Sequence, residues 1–301
     1  MPLNRSYHSV VLVKQVPDTR NVTGEVMTAE GTMNRSALPA IFNPEDLNAL
    51  EMALSVKDQN GGRVTVVTMG PMQAAEVLRE SLYRGVDRVI LLSDRKFAGA
   101  DTQATSYTLK CAVDKLGLYD LVFCGRQAID GDTAQVGPQL AEKLGIPQIT
   151  YAESIVDMEE EEIVVRRAFD LGTELVKCKL PCLLTVVRTA NRPRPASARK
   201  RIEYKMAATP NEYAKLLKKW PEFENEQLLR EYLAERKLNI EVWTAADLNV
   251  NEAELGLAGS PTQVYKVNYV VLETTDSKEI QPTLEGIQEL IAELIQEYIV
   301  E

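Results

Sequence analysis

Short hydrophobic runs alternate with helical segments in the first half of the chain, and this alternation limits the folds it can adopt. The runs are "SVVLVKQV" at 9–16, "RVTVVTMG" at 63–70, "DRVILLS" at 87–93 and "YDLVFC" at 119–124. The segments between them carry helix signals, such as Asn43-Pro44 at a start and Gly61-Gly62 at an end. Because crossovers within a sheet are right-handed, the pattern predicts an α/β fold with a doubly wound parallel sheet.

The pattern changes after Ile149. Four further strand-like runs, at 149–156, 162–169, 173–180 and 182–187, predict antiparallel hairpins added to the edge of the sheet. Residues 210–236 predict two short charged helices, and "NIEVW" at 239–243 predicts a strand. The C-terminal segment predicts an amphipathic helix whose apolar face carries Leu284, Ile287, Leu290, Ile291, Leu294, Ile295 and Tyr298.

Charge and residue usage exclude several classes of function. The 301 residues include 44 acidic and 34 basic side chains, which gives a net charge of −10. General nucleic-acid binding requires a basic surface instead. The chain has a single histidine, His8, and its four cysteines form no CxxC pair. Histidine-based catalysis and Cys/His metal sites therefore lack their side chains, and we expect a cofactor to carry any chemistry that the protein performs.

The apolar runs are all much shorter than the ~20 residues that a membrane span needs. The first residues, "MPLNRSYHSVVLVKQV", merge into a strand pattern and show no cleavage-like site of a signal peptide. We expect a soluble cytoplasmic protein.

The loop "GRQAIDGDTAQVGP" at 125–138 follows the fourth run and is the candidate functional site. In open parallel sheets, ligands bind beyond the carboxyl ends of the strands, where crossovers diverge. Gly131 and Gly137 allow a close approach of the backbone. A helix beginning near Thr133 would offer free N–H groups to an anion. We therefore predict a phosphate-bearing nucleotide, although the loop matches neither GxGxxG nor GK[ST].

Asp132 followed by Gln135 also fits a helix capping pattern, and a capping carboxylate would repel a phosphate on the same amides. We expect Asp132 to cap the helix from the side, so that residues 133–136 face the ligand.

Six motifs occur in order along the chain: "VKQVPDT" at 13–19, "NPEDLNALEMAL" at 43–54, "VTMGP" at 67–71, "GVDRVILL" at 85–92, "GRQAIDGDTAQVGP" at 125–138 and "LPCLLTV" at 180–186. Together they resemble the beta subunit of electron transfer flavoproteins. The resemblance covers residues 8–206 and resumes at Asn239. It implies an ETF-like, adenine-nucleotide-binding domain and a heterodimer with an alpha subunit that binds one FAD.

The resemblance leaves two nucleotides open for the loop. Plain beta subunits hold AMP in a structural role, whereas electron-bifurcating ones hold a second FAD with its ADP half in that place. "DGDTAQVGP" and "VKQVPDT" resemble the bifurcating version, so we favour FAD over AMP. The implied function is to accept a hydride from NADH and to send electrons separately to ferredoxin and, through the alpha-subunit FAD, to a flavin-dependent dehydrogenase of acyl-CoA or 2-hydroxy acid type. A nucleotide-sensing α/β module is the alternative outside the family.

The family's cofactor contacts carry over to three groups of residues. The adenosine side is expected to involve Leu12, Val13, Thr68, Met69 and Gly125. The diphosphate is expected to meet Asp130, Gly131, Thr133, Ala134, Gln135, Val136 and Gly137. The flavin or ribityl end is expected to meet Val16, Pro17, Asp18 and Asn43. For Leu12, Val13 and Met69, ordinary core packing is an equal alternative, and no side chain is assigned a catalytic role.

The basic segment "RTANRPRPASARKR" at 188–201 is either a solvated linker or a docking loop for an acidic partner. In the family this loop docks a dehydrogenase, which points to Asn191, Arg192, Arg194, Ala198, Arg199 and Lys200. Ala196, Ser197 and Ala198 stand where plain members often have an apolar anchor, which leaves the choice of partner open.

Three domains are implied. Residues 1–206 form the nucleotide/FAD-binding domain with its edge hairpins and docking loop, residues 207–238 form a helical insertion, and residues 239–301 form a strand-loop-helix arm that contacts the alpha subunit.

Overall fold

The computed structural model of the protein describes residues 6–18, 39–262 and 278–296. The chain forms two compact units, residues 1–265 and residues 266–301. The three-part division implied by the resemblance stays a prediction.

The first unit contains a nine-stranded sheet in the order β11-β5-β4-β1-β6-β10-β7-β8-β9 and a separate pair, β2-β3. The strands are β1 (Tyr7–Leu12), β2 (Gln15–Pro17), β3 (Ala40–Phe42), β4 (Gly62–Met69), β5 (Arg88–Leu92), β6 (Leu121–Gly125), β7 (Gln148–Met158), β8 (Glu162–Phe169), β9 (Gly172–Lys179), β10 (Cys182–Val186) and β11 (Glu241–Trp243). The helices are α1 (Pro44–Asn60), α2 (Ala75–Arg84), α3 (Thr102–Leu116), α4 (Val136–Leu144), α5 (Ala198–Glu203), α6 (Tyr213–Lys219), α7 (Glu226–Glu235) and, in the second unit, α8 (Leu284–Gln296).

Helices cover both faces of the sheet, which confirms the predicted doubly wound α/β fold. Side chains of β1 alternate between two cores: Val11 packs with α1 and α2, whereas Val10 and Leu12 pack with α3 and α4. Strands buried on both faces read as continuous hydrophobic runs, which is why the sequence pattern was clear here.

Strand β10 is not part of an edge hairpin, so this part of the sequence prediction was wrong. It pairs in parallel with β6 on one side and with β7 on the other. All five of its residues are buried, as expected for a central strand with helices on both faces. Within the part of the chain that the structure describes, the antiparallel edge consists of β7, β8 and β9.

The predicted single strand at 9–16 is divided in the structure. Strand β1 ends at Leu12, and β2 pairs antiparallel with β3 outside the main sheet. This small sheet fixes the chain that leaves β1.

The two charged helices and the strand predicted from Pro210 to Trp243 are confirmed. Helices α6 and α7 enclose a small core of their own, made of Ala208, Tyr213, Leu229, Leu233 and Leu238. Strand β11 then pairs in parallel with β5 and extends the main sheet.

In the second unit, helix α8 confirms the predicted C-terminal helix over its described length. Its apolar side chains Leu284, Ile287, Ile291 and Ile295 are exposed. Tyr298, predicted on the same face, lies outside the described residues. Among the helices described, none is both long and apolar enough to cross a membrane.

Candidate functional site

The strand order places a crevice between the carboxyl ends of β1 and β6. From β1 the chain proceeds to β4 and β5 on one side and then returns to β6 on the other side of β1. Two loops leave the sheet at this reversal, residues 13–18 after β1 and residues 126–135 after β6. Crevices of this kind are the usual ligand sites of open α/β sheets. We call it the switch crevice.

The loop after β6 does not enter helix α4 where the sequence predicted. The helix begins at Val136, not near Thr133, and its N-cap is Gln135. Asp132 and Ala134 have φ angles of 49° and 52°. Left-handed backbone at these two residues is incompatible with a helical first turn.

Asp132 therefore does not cap α4, which corrects the capping prediction. Its Oδ1 instead accepts a hydrogen bond of 2.8 Å from Gln127 Nε2 within the loop. The Gln135 side chain is held from outside, because Thr102 Oγ1 donates to its Oε1 at 2.9 Å.

The backbone N–H groups of residues 133–136 donate no hydrogen bond within the described parts of the chain. They stand at the start of a nine-residue helix, where free amides and the helix dipole favour an anion. The phosphate-facing role of this segment stays a prediction.

An ion pair joins the two loops of the switch crevice. Lys14 Nζ lies 2.8 Å from Asp130 Oδ1 and 2.9 Å from Oδ2. Asp130, predicted to lie near the diphosphate, therefore reaches Lys14. Sequence analysis had not singled out Lys14, which lies two residues beyond the end of β1 and is an exposed cation at the crevice.

The three glycines of this loop have different surroundings. A Cβ on Gly125 would lie 2.5 Å from Asp46 Oδ1, and one on Gly137 would lie 2.8 Å from Thr185 Cγ2. These two glycines permit close packing against α1 and β10. A Cβ on Gly131 would meet nothing within 4 Å, so only Gly131 faces open space.

The predicted adenosine-side residues divide between core and crevice. Leu12 and Val13 are buried members of the two cores, so their side chains pack as the alternative interpretation expected. Met69 is half-buried at the end of β4. Thr68 is 1% exposed, and its Oγ1 is buried without a hydrogen-bond partner among the described residues. A buried hydroxyl without a partner is costly, and a bound polar group would satisfy it.

The residues predicted near the flavin end lie along the loop after β1. Val16 and Asp18 are buried and Pro17 is half-buried, and Asp18 N donates to Pro39 O at 2.8 Å. Asn43 is fully buried. Its amide Nδ2 donates to Gln127 O at 2.9 Å and its Oδ1 accepts from Ile129 N at 3.2 Å. Asn43 thus binds the loop after β6 rather than facing open space.

Sequence analysis missed two acidic residues in the first turn of α1. Glu45 Oε2 accepts from Gln127 N at 2.9 Å, and Asp46 Oδ1 accepts from Gly125 N at 2.9 Å. Burial raises the pKa of Asp46 to about 7, despite hydrogen bonds from Asn43, Lys14 and Gly125 that lower it. The only cue in the sequence was two acids directly after Asn43-Pro44, which are ordinary for a helix start.

His8 has a structural role. It lies near the start of β1, at the opposite end from the switch crevice, and its ring contacts Leu118 O at 2.8 Å and Thr65 Oγ1 at 2.9 Å. Burial lowers its pKa. Cys124, at the end of β6, is buried, and burial raises its thiol pKa far above the usual range, so it is not a reactive thiolate.

The basic loop contains anchoring residues and exposed ones. Asn48 Nδ2 donates to Asn191 O at 2.8 Å, and Arg194 binds Glu51 at 2.8 Å and Asp58 at 2.8 Å, all on α1. Arg192, Ala198 and Arg199 are exposed, and Lys200 is half-buried with its ammonium 5.6 Å from the Tyr204 ring centre. Of the predicted docking residues, Asn191 and Arg194 therefore hold the loop against α1, whereas the other four have side chains that are accessible to solvent.

The switch crevice therefore combines three groups at the ends of the adjacent strands β4, β1 and β6: the Thr68 hydroxyl, the Lys14 ammonium and the backbone amides of residues 133–136. This donor set fits the pyrophosphate and ribose of a nucleotide.

Comparisons with known proteins agree with the fold. A model of the electron transfer flavoprotein domain matches residues 30–210. The electron transfer flavoprotein subunit beta of Clostridium acetobutylicum is 41% identical over 97% of this chain and 99% of its own length. The caffeyl-CoA reductase-Etf complex subunit CarD of Acetobacterium woodii is 43% identical over 85% of this chain and 86% of its own. The acryloyl-CoA reductase electron transfer subunit gamma of Anaerotignum propionicum is 49% identical over 59% of this chain and 66% of its own.

Proposed function

The chain belongs to the electron transfer flavoprotein family, among its beta subunits, and we propose that it serves an electron-bifurcating complex in the cytoplasm. In this proposal the chain binds FAD and the complex oxidises NADH. One electron goes to ferredoxin and the other, through the FAD of an alpha subunit, to a partner flavin dehydrogenase.

The free backbone amides of residues 133–136, beside Lys14 at the switch crevice, carry this proposal. They would hold the pyrophosphate, and the Thr68 hydroxyl would form a hydrogen bond with the adenosine part of the ligand. Bound FAD would supply hydride acceptance and one-electron transfer, which the side chains present cannot provide. The protein's part is to bind and orient the cofactor: β2 and β3 fix residues 15–18, and α1 fixes residues 125–129.

Two observations favour FAD over AMP. The relatives from Acetobacterium and Anaerotignum are named as subunits of caffeyl-CoA and acryloyl-CoA reductase systems, which suits a complex with a flavin dehydrogenase. A Cβ on Gly131 would also meet nothing within 4 Å, so there is space beside this residue for a ligand larger than AMP.

The partner contacts belong to the same proposal. Arg192, Ala198, Arg199 and Lys200 would meet the dehydrogenase, with Asn191 and Arg194 holding their loop against α1. The exposed apolar side chains of α8, at the end of the 239–301 arm, would contact the alpha subunit.

The cofactor is tested by extraction. The full chain is saturated with FAD, freed of unbound ligand and denatured, and the released nucleotide is identified. We expect FAD in stoichiometric amount. Release of AMP after such loading would favour the plain, structural form, whereas ATP as the preferred ligand would favour a nucleotide-sensing module.

Bifurcation is tested on the complex with its alpha subunit and dehydrogenase. NADH and ferredoxin are supplied with and without the dehydrogenase's oxidised substrate, and ferredoxin reduction is followed spectroscopically. We expect reduction only when the downhill acceptor is present. Equal ferredoxin reduction without that acceptor would contradict bifurcation.

A further inference from the structure

A single carboxylate bridges the ends of the two strands that form the switch crevice. Asp46 Oδ1 accepts from Gly125 N at 2.9 Å, at the end of β6, and Asp46 Oδ2 accepts from Lys14 N at 2.8 Å, just after β1. The side chain is buried, and the residue is 6% exposed. The loops that start at these two amides carry Lys14, Asp130 and the free amides of residues 133–136.

Only an ionised carboxylate can serve both amides fully. Each oxygen faces an N–H donor, so each must accept a hydrogen bond. Protonation turns one carboxylate oxygen into an O–H, which is a much weaker acceptor, and an amide replaces that oxygen with an NH₂, which accepts no hydrogen bond. A neutral side chain would therefore leave one buried N–H weakly bonded or unsatisfied.

The surroundings place the ionisation of Asp46 near neutrality. Burial raises its pKa to about 7, while Lys14 and the hydrogen bonds it accepts act in the opposite direction. Glu45 lies beside it on α1, Cys124 faces it from β6, and Arg126 pairs with Glu45 at 3.1 Å. Among these neighbours, the positive charge of Lys14 favours the ionised form of Asp46.

We propose that Asp46 is a positioning residue that holds the switch crevice in its nucleotide-binding shape when its carboxylate is ionised. It acts through the backbone of Lys14 and Gly125 and does not touch the nucleotide itself. FAD affinity then depends on pH: it is high when Asp46 is ionised and falls as the pH is lowered. The inference rests on the proposed function in that FAD is taken as the ligand.

The test compares Asp46→Asn, a near-isosteric change, with the unmodified full chain. FAD binding is titrated between about pH 5.5 and about pH 8.5, a range in which the FAD pyrophosphate stays fully ionised. We expect the unmodified chain to bind FAD on the order of tenfold more weakly at the acidic end. Asp46→Asn should bind weakly throughout, with no step near neutrality.

Two further variants show whether the pH dependence of FAD binding comes from Asp46, from a neighbouring carboxylate, or from the loss of any negative charge. Glu45→Gln removes the adjacent carboxylate and should keep the pH step. Asp114→Asn removes an exposed carboxylate on α3, which among the described residues forms an ion pair with Lys110 alone, and should behave as the unmodified chain does. A pH step that persists in Asp46→Asn, or disappears in Glu45→Gln, overturns the inference.

Hydrogen exchange supplies a readout that needs no nucleotide. The amides of Lys14 and Gly125, corrected for intrinsic rates, should lose protection at acidic pH in the unmodified chain and at every pH in Asp46→Asn. If this loss is seen but the unmodified chain binds no FAD, the FAD proposal fails and the bridging role stands. If FAD binds and protection at the two amides is equal in both chains, the bridging role is wrong.

Discussion

Burial of the ionised Asp46 side chain lowers the stability of the fold, although its hydrogen bonds shape the crevice. Burying a carboxylate disfavours its charged form, and the accepted hydrogen bonds offset only part of this penalty, since the pKa stays raised. The carboxylates of Asp94 and Asp247 have the opposite balance, because backbone amides lower their pKa values. The two kinds of carboxylate therefore act on stability in different pH ranges.

The first prediction concerns this pH dependence. Because the folded pKa of Asp46 is about 7, the folded state retains its proton longer than the unfolded state. Its contribution to the free energy of unfolding is thus present below the ordinary aspartate pKa and is lost as the pH rises toward 7, by up to about 4 kcal/mol. Asp46→Asn should flatten the fall of stability in this range, measured by denaturant unfolding at several pH values. An unchanged slope would mean that Asp46 is ionised throughout.

The second prediction compares two glycines of the same loop. Gly125→Ala should destabilise the fold by about 1–3 kcal/mol, because the added methyl meets the first turn of α1. Gly131→Leu should leave the unfolding midpoint nearly unchanged and reduce FAD occupancy, since its side chain enters the open space beside residues 133–136. Thermal unfolding and extracted FAD are measured on both. Full FAD occupancy in Gly131→Leu would count against the loop assignment.

The sequence was sufficient to locate the loop, but not to identify the residues that hold it in place. Gly131 and the run to Val136 were recognisable because glycine and a following helix leave a local pattern. Asp46 and Glu45 reach the loop from a helix far away in the chain, and their hydrogen bonds depend on how α1 packs against β6. Two acidic residues in the first turn of a helix give the same sequence pattern whether their side chains face solvent or accept from a backbone amide.

At the scale of elements, the approach to helix α4 shows a similar limit. The capping pattern Asp132-x-x-Gln135 favoured an earlier helix start, but left-handed backbone at Asp132 and Ala134 delays it to Val136. A capping pattern indicates a possible hydrogen bond, but here Gln127 of the same loop binds Asp132, and Thr102 of α3 binds Gln135. Strand β10 was misplaced because a hydrophobic run does not indicate which strands pair with it.

The third prediction separates anchoring from docking in the basic loop. Arg194 binds Glu51 and Asp58 on α1, so Arg194→Ala should increase hydrogen exchange across residues 191–197. Arg199 is exposed and, among the described residues, forms no ion pair. Arg199→Ala should leave exchange unchanged and weaken dehydrogenase association, more so at low salt. Equal exchange in both variants would show that Arg194 does not anchor the loop.

At the scale of the whole molecule, charge and apolar surface are distributed unevenly. The chain carries a net charge of −10, yet residues 188–201 hold six basic side chains and no acidic one. An acidic partner would therefore be attracted to one segment of an otherwise repelling molecule. Helix α8 adds an exposed apolar row in the second unit. Isolated exposed apolar residues are common, but a row at helical spacing indicates an interface.

The final prediction tests that interface. Ile291 lies in the middle of the exposed row on α8, so Ile291→Glu should weaken association with the alpha subunit by at least about tenfold, because a charge would have to be desolvated in an apolar contact. Gln296→Glu adds the same charge on the opposite face of the helix and should bind normally. Association is measured by sedimentation, and FAD bound by the separate chain should be equal in both variants, since the switch crevice lies in the other unit. Normal association of Ile291→Glu would assign the apolar row to some other contact.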